Sequence, residues 1–136
     1  VKLVSHGLYN SQYFIYDCNN ILHKGRNTDV RISKGCKLTV LDAVFDGVLT
    51  QIECGKEHSM FLTENGSVYG YGSNMKGQLG SFKDKRMNSV TKIKGLNGII
   101  KIGCSINTSY VVNDRFRLIT FGSNMLGQIG IGSDDN

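Results

Sequence analysis

Gly72-Ser73-Asn74-Met75-Lys76-Gly77-Gln78-Leu79-Gly80 returns almost unchanged as Gly122-Ser123-Asn124-Met125-Leu126-Gly127-Gln128-Ile129-Gly130, a spacing of 50 residues. The spacing also holds upstream. Ile52 matches Ile102, Cys54 matches Cys104, Ser59 matches Ser109 and Tyr71 matches Phe121, without insertion or deletion. A fixed period of this length marks an array of supersecondary units, each burying its apolar face only by stacking on a neighbour. A third, worn copy emerges on sliding by 47 residues, which sets Tyr13-Phe14-Ile15 on Met60-Phe61-Leu62, Ile21 on Val68, Gly25 on Gly72 and Asn27 on Asn74. Beyond Asn27 the Gly-Gln-Leu-Gly element gives way to Thr28-Asp29-Val30-Arg31-Ile32-Ser33. The expected units are residues 1–46 (divergent), 47–96 (complete) and 97–136 (truncated).

Within the complete unit, short apolar runs alternate with turn signals. Strands are expected over Leu49–Cys54, His58–Thr63, Ser67–Gly72 and Ser89–Ile93, with another extended segment at Ile99–Ile102. Asn65-Gly66 offers the positive φ angles of a tight hairpin. Glycine interrupts every long window and no helical period develops. Four short antiparallel strands per unit describe a propeller blade, so the fold class is all-β. Gly70 and Gly72 are expected to thin a strand where blades crowd together, and Gly77 and Gly80 to turn the chain after Asn74. Asn74 can cap local backbone groups, and Gln78 can bond backbone in the same loop. A phosphate cradle is disfavoured, because no strand–loop–helix context follows.

Composition narrows the function classes. No apolar run approaches the ~20 residues of a membrane helix. Sixteen Lys and Arg against eleven Asp and Glu leave a net charge of +5. That excess concentrates in Lys24, Arg26, Arg31, Lys34 and Lys37, and in Lys83, Lys85, Arg86, Lys92, Lys94 and Lys101. Such stretches suit a solvated rim or an acidic partner, while the scarcity of interleaved aromatics argues against single-stranded nucleic acid. Cys18, Cys36, Cys54 and Cys104 show neither Cys-x-x-Cys spacing nor a His ladder, so no metal or cofactor is expected. Free buried thiols and an intracellular, nuclear or cytoplasmic location are the expectation.

The string Cys54-Gly55-x-x-His58-Ser59-x-x-Leu62-Thr63-x-x-Gly66-x-Val68-Tyr69-x-Tyr71-Gly72-x-Asn74-x-x-Gly77-Gln78-Leu79-Gly80 resembles the repeat of the regulator of chromosome condensation family (RCC1-like repeats). The second copy keeps Gly122, Asn124, Gly127, Gln128 and Gly130. The resemblance covers one complete repeat, most of a second and a degraded third. It implies a seven-bladed β-propeller, of which 136 residues supply about 2.7 blades. A piece of a larger protein is therefore expected, or self-association through open blade edges. Departures from the family pattern are Tyr71 and Phe121 where Trp is usual, Gly103-Cys104-Ser105 in place of Cys-Gly, and Thr108 in place of His.

In this family the His58 slot implies a structural role, bonding backbone between strands. No paired acids, nucleophile elbow or partnered histidine stands elsewhere, so no active site is expected in this chain. Function then falls to loops on a rigid scaffold. Lys83, Lys85 and Arg86 are the first candidates for partner contact, and Arg31 and Lys34, in the rebuilt segment, the second. The resemblance implies an interaction propeller with possible guanine-nucleotide exchange on a Ran-like small GTPase. The alternatives are a substrate-binding or scaffold-binding domain of a HECT-type ubiquitin ligase, or a chromatin-associated module.

Overall fold

The computed structural model describes residues 3–6, 12–26, 38–80 and 84–123. They form three antiparallel meanders, with no helix among the described residues. The first sheet contains β1 (Leu3–His6), β2 (Gln12–Tyr16), β3 (Leu22–Arg26) and β4 (Leu38–Val40), paired in that order. The second contains β5 (Leu49–Cys54), β6 (His58–Thr63), β7 (Val68–Ser73) and β8 (Arg86–Lys92). The third contains β9 (Ile99–Cys104), β10 (Thr108–Asn113) and β11 (Leu118–Gly122). β8 begins at Arg86, three residues before the expected start at Ser89, because Arg86 and Met87 pair with Ser73 and Gly72 across a register shift.

Successive sheets stack with their first strands side by side, β1 against β5 and β5 against β9. Side chains join these inner strands where no ladder does. The Gln51 amide donates to the Ile102 carbonyl (2.8 Å) and accepts from the Ile102 amide (3.0 Å). Cys104 Sγ donates to the Glu53 carbonyl at 3.7 Å, and Cys54 Sγ lies 3.5 Å from Ser5 Oγ. The two cysteines therefore fill one slot, each facing the first strand of the sheet before it. Cys18, by contrast, is exposed, which corrects the expectation of buried thiols throughout. Cys36 lies outside the described residues.

Strand pleat divides the core in two, since neighbouring side chains point to opposite faces. Phe61, Tyr69, Leu49 and Ile52 pack against Phe14, Tyr16 and Leu22 of the first sheet. Met60, Leu62 and Val68 pack the other way, with Ile99, Ile102 and Val111 of the third. All six residues of β6 are buried. Phe14 meets Phe61 edge-on at 5.4 Å and Tyr71 at 6.4 Å. Phe121, in the Tyr71 position one unit on, packs against the second core.

The facing pattern corrects the alignment of the first unit. Tyr16 pairs with Leu22 as Leu62 pairs with Val68 and Val112 with Leu118. The true offset is therefore 46 residues rather than 47. It sets Phe14 on Met60 and Leu22 on Val68, all buried toward the following sheet, while Ile21 is 40% exposed. A slip of one residue turns every side chain to the wrong face.

The same register aligns the hairpin tips at Asn20 (φ +63°), Gly66 (φ +80°) and Phe116 (φ +59°). Only Gly66 takes a positive φ in the Asn65-Gly66 turn, contrary to the expected pair. Gly66 N–H donates to the Thr63 carbonyl and Thr63 N–H to the Ser67 carbonyl. This is a three-residue hairpin closed by one left-handed residue.

Candidate interaction surface

The motif residues after β7 are spent on holding their own loop. Asn74 Oδ1 accepts from Leu79 N–H (2.9 Å), and Asn74 Nδ2 donates to the Asp84 carbonyl (3.0 Å). Gln78 Oε1 accepts from Lys76 N–H at 2.8 Å. Gly77 and Gly80 sit at φ +76° and +97°. Gly72 (φ +105°) passes the Glu57 carbonyl so closely that a Cβ would lie 2.4 Å from its oxygen. Gly122 repeats this against Asn107, at 2.3 Å. At Gly70 a Cβ would meet Leu79 at 2.9 Å. The crowding at Gly70 and Gly72 thus comes from their own unit, not from a neighbouring blade as expected. Asn124, Gly127, Gln128 and Gly130 lie outside the described residues.

His58 is buried, and its Nε2 lies 2.9 Å from Ser109 Oγ in the next sheet. The Ser109 hydroxyl gives its hydrogen to the Gln78 carbonyl, so His58 must donate from Nε2. The neutral ring then leaves Nδ1 as a bare acceptor, and Nδ1 has no hydrogen-bond partner. Burial pushes the imidazole pKa down to about 4, against a smaller opposing contribution from the Thr108 backbone. The ring fits because of Gly55, where a Cβ would lie 2.1 Å from His58 Cε1. One unit later Ser105 supplies that Cβ, and the smaller Thr108 replaces the ring. Its hydroxyl donates to the Ser123 carbonyl at 3.0 Å. Burial also raises the thiol pKa values of Cys54 and Cys104, away from nucleophilic use.

The basic residues divide into two groups. Lys24 Nζ donates to Tyr71 Oη at 2.8 Å and stands 4.7 Å from the ring centroid, tying the first sheet to the second. Lys92 pairs with Asp46 at 3.3 Å. Lys85, Arg86, Lys94 and Lys101 are exposed. Lys85 and Arg86 are rigidly mounted, for Asn74 N–H donates to the Lys85 carbonyl and Arg86 pairs with Ser73. Lys83, Arg31 and Lys34 lie outside the described residues. Among the described residues no group of three or more His, Cys, Asp or Glu could hold a metal ion, and no helix is long and apolar enough to cross a membrane.

A further cationic feature escaped the reading of the sequence. Arg115 and Arg117 bracket Phe116 at the β10–β11 tip, and all three are exposed. The signal was available, because the 50-residue spacing sets Phe116 on Gly66. A bulky residue held left-handed costs roughly 1 to 2 kcal/mol.

The family described as the regulator of chromosome condensation (RCC1) repeat matches residues 49–78 and again residues 65–112. An RCC2 homolog from Danio rerio is 33% identical over 97 residues, covering 70% of this chain and 20% of that protein. The human X-linked retinitis pigmentosa GTPase regulator is 29% identical over 130 residues, covering 93% of this chain and 12% of that one. The crystal structure of Prp20p from Saccharomyces cerevisiae, a protein studied for binding to Gsp1p and histones, superposes with a TM-score of 0.83. Identity to it is 19%, over 98% of this chain and 35% of that one, a likeness of fold.

Proposed function

Since the chain belongs to the RCC1-like repeat family and is part of a β-propeller that serves as an interaction module, we propose that its parent protein promotes guanine-nucleotide exchange on a Ran-like small GTPase. The observation behind this reading is the division of labour around the motif loop. Asn74, Gln78 and the glycines hold backbone, and Lys85 and Arg86 are left exposed on that fixed frame. The similarity to a GTPase regulator points the same way.

Exchange asks no covalent chemistry of the propeller. A factor that binds the nucleotide-free GTPase more tightly than the loaded form shifts the equilibrium toward release. A rigid scaffold suits that task, because differential affinity is lost when the surface adapts equally to both states. The test is GDP release from a panel of Ran-type and other small GTPases with the intact parent protein. Acceleration on one member supports the reading and identifies the partner. No acceleration by a folded parent overturns exchange and leaves a binding module without it.

A further inference from the structure

We infer that the β10–β11 tip, Arg115-Phe116-Arg117, is a contact point for an acidic segment of a partner protein. The inference does not rest on the exchange reading. Phe116 is 83% exposed and holds φ +59°, a conformation the equivalent tips give to Asn20 and Gly66. A strained residue persists where surrounding structure over-determines it, and such residues cluster at binding sites. Here the determinant is Asn113, whose Oδ1 accepts from Arg115 N–H (2.9 Å) and Arg117 N–H (3.0 Å). Asp114 N–H donates to the Gly98 carbonyl at 2.8 Å and anchors the tip to the preceding loop. The aromatic ring is thus presented on a pinned backbone, with little freedom to lose on binding.

Among the described residues no sheet follows the third, and the two equivalent tips show what a following sheet does at this position. Asn20, with the second sheet beside it, is exposed, whereas Gly66, with the third beside it, is buried against Gly98 and Ile99.

Charge and shape select the occupant. Among the described residues neither Arg115 nor Arg117 forms an ion pair, and the nearby Asp114 leaves the tip net positive. Beside the tip is a recess of about 360 Å³ whose lining includes Gly98, Asn113, Asp114, Arg115, Arg117 and Ile119. An aromatic anchor flanked by arginines is the composition of a protein hot spot, and two unpaired guanidinium groups call for carboxylates. A single-stranded nucleic acid would want successive aromatic platforms along a basic groove. The tip has one ring, and the recess beside it carries an aliphatic wall in Ile119.

The experiment is a random peptide-display selection on the intact parent protein. Enriched synthetic peptides are then measured by fluorescence anisotropy against the wild type, Phe116→Gly and Arg115→Glu/Arg117→Glu, with labelled oligo(dT) as a second probe. The expected result is enrichment of acidic sequences containing an apolar residue. Binding should weaken about tenfold or more in both variants. Phe116→Gly should meanwhile raise the melting temperature, since it relieves the left-handed strain, so lost binding cannot be ascribed to misfolding. Three results would overturn the inference: enrichment without acidic character, peptide affinity unchanged in Phe116→Gly, or oligo(dT) binding more tightly than any peptide.

Discussion

His58 of β6 donates through Nε2 to Ser109 of β10, 2.9 Å away, and Ser109 passes its own hydrogen to the Gln78 carbonyl. One buried chain of hydrogen bonds thereby locks the second sheet, the third sheet and the motif loop together. The network favours the neutral imidazole, because burial penalises the charged ring and Nδ1 has no hydrogen-bond partner.

Stability should therefore fall in mild acid. Folded, His58 resists protonation down to about pH 4; unfolded, it takes a proton near the ordinary 6.5. Between those values the unfolded chain binds more protons, so stability is lost as pH falls from about 6.5 to about 4. Above 6.5 this group contributes no pH dependence. The full loss is of order 3 kcal/mol. Urea unfolding of the parent propeller across that window should show the slope, and His58→Gln, which keeps a donor near the Nε2 position, should remove it. An identical slope in the variant would place the titration elsewhere.

Gly72 and Gly77 both have positive φ, yet alanine should act differently at each. At Gly72 the new Cβ would press on the Glu57 carbonyl at 2.4 Å; at Gly77 it meets nothing within 4 Å. Gly77→Ala should cost about 1 kcal/mol, the left-handed penalty alone. Gly72→Ala adds a backbone clash and should cost more than about 3 kcal/mol. Gly122→Ala should follow Gly72→Ala, since Asn107 stands as near. Equal melting temperatures for Gly72→Ala and Gly77→Ala would refute the steric argument.

The sequence made the 50-residue period plain because the Gly-Ser-Asn-Met motif is written twice without a gap. The hairpin of the second unit was equally legible, from its turn residues and apolar runs. The register of the first unit was not. Matching Gly25 to Gly72 favoured 47 residues, and β6, buried on both faces, shows no alternation to veto the slip. Asn20, a residue that tolerates the left-handed region, held the correcting signal opposite Gly66. The site was legible only as a list of cations. That Lys92 is taken by Asp46 and Lys24 by Tyr71 depends on contacts 46 and 47 residues apart in sequence, beyond any local pattern. Phe116 could have been found, because the repeat sets a phenylalanine where its neighbour has glycine.

Asn74 is the keystone of the motif loop, and its loss should be felt locally before it is felt globally. Asn74→Ala leaves Leu79 N–H and the Asp84 carbonyl without their side-chain partner. Leu79 is itself fully buried in the second core. An unpaired buried amide costs about 1 to 3 kcal/mol. Hydrogen exchange at Leu79 N–H should accelerate more than at Met60 or Phe61 N–H, whose ladder bonds the substitution does not touch. Uniform acceleration across these amides would mean global destabilisation instead.

Lys85 and Arg86 should tune the rate of partner binding while leaving the fold alone. Both side chains are exposed, and their backbone is held by Asn74 and Ser73 whatever the side chain. The double substitution Lys85→Glu/Arg86→Glu should leave the melting temperature of the parent protein within a degree or two, as exposed sites usually do. Against a partner with an acidic surface, association should slow about tenfold at low salt, because exposed charges act chiefly by steering encounter. The difference should shrink as salt rises and the Debye length falls to about 3 Å at 1 M. Stopped-flow association at several salt concentrations reads both quantities. A rate unchanged at low salt would remove this pair from the binding surface and leave the β10–β11 tip as the stronger candidate.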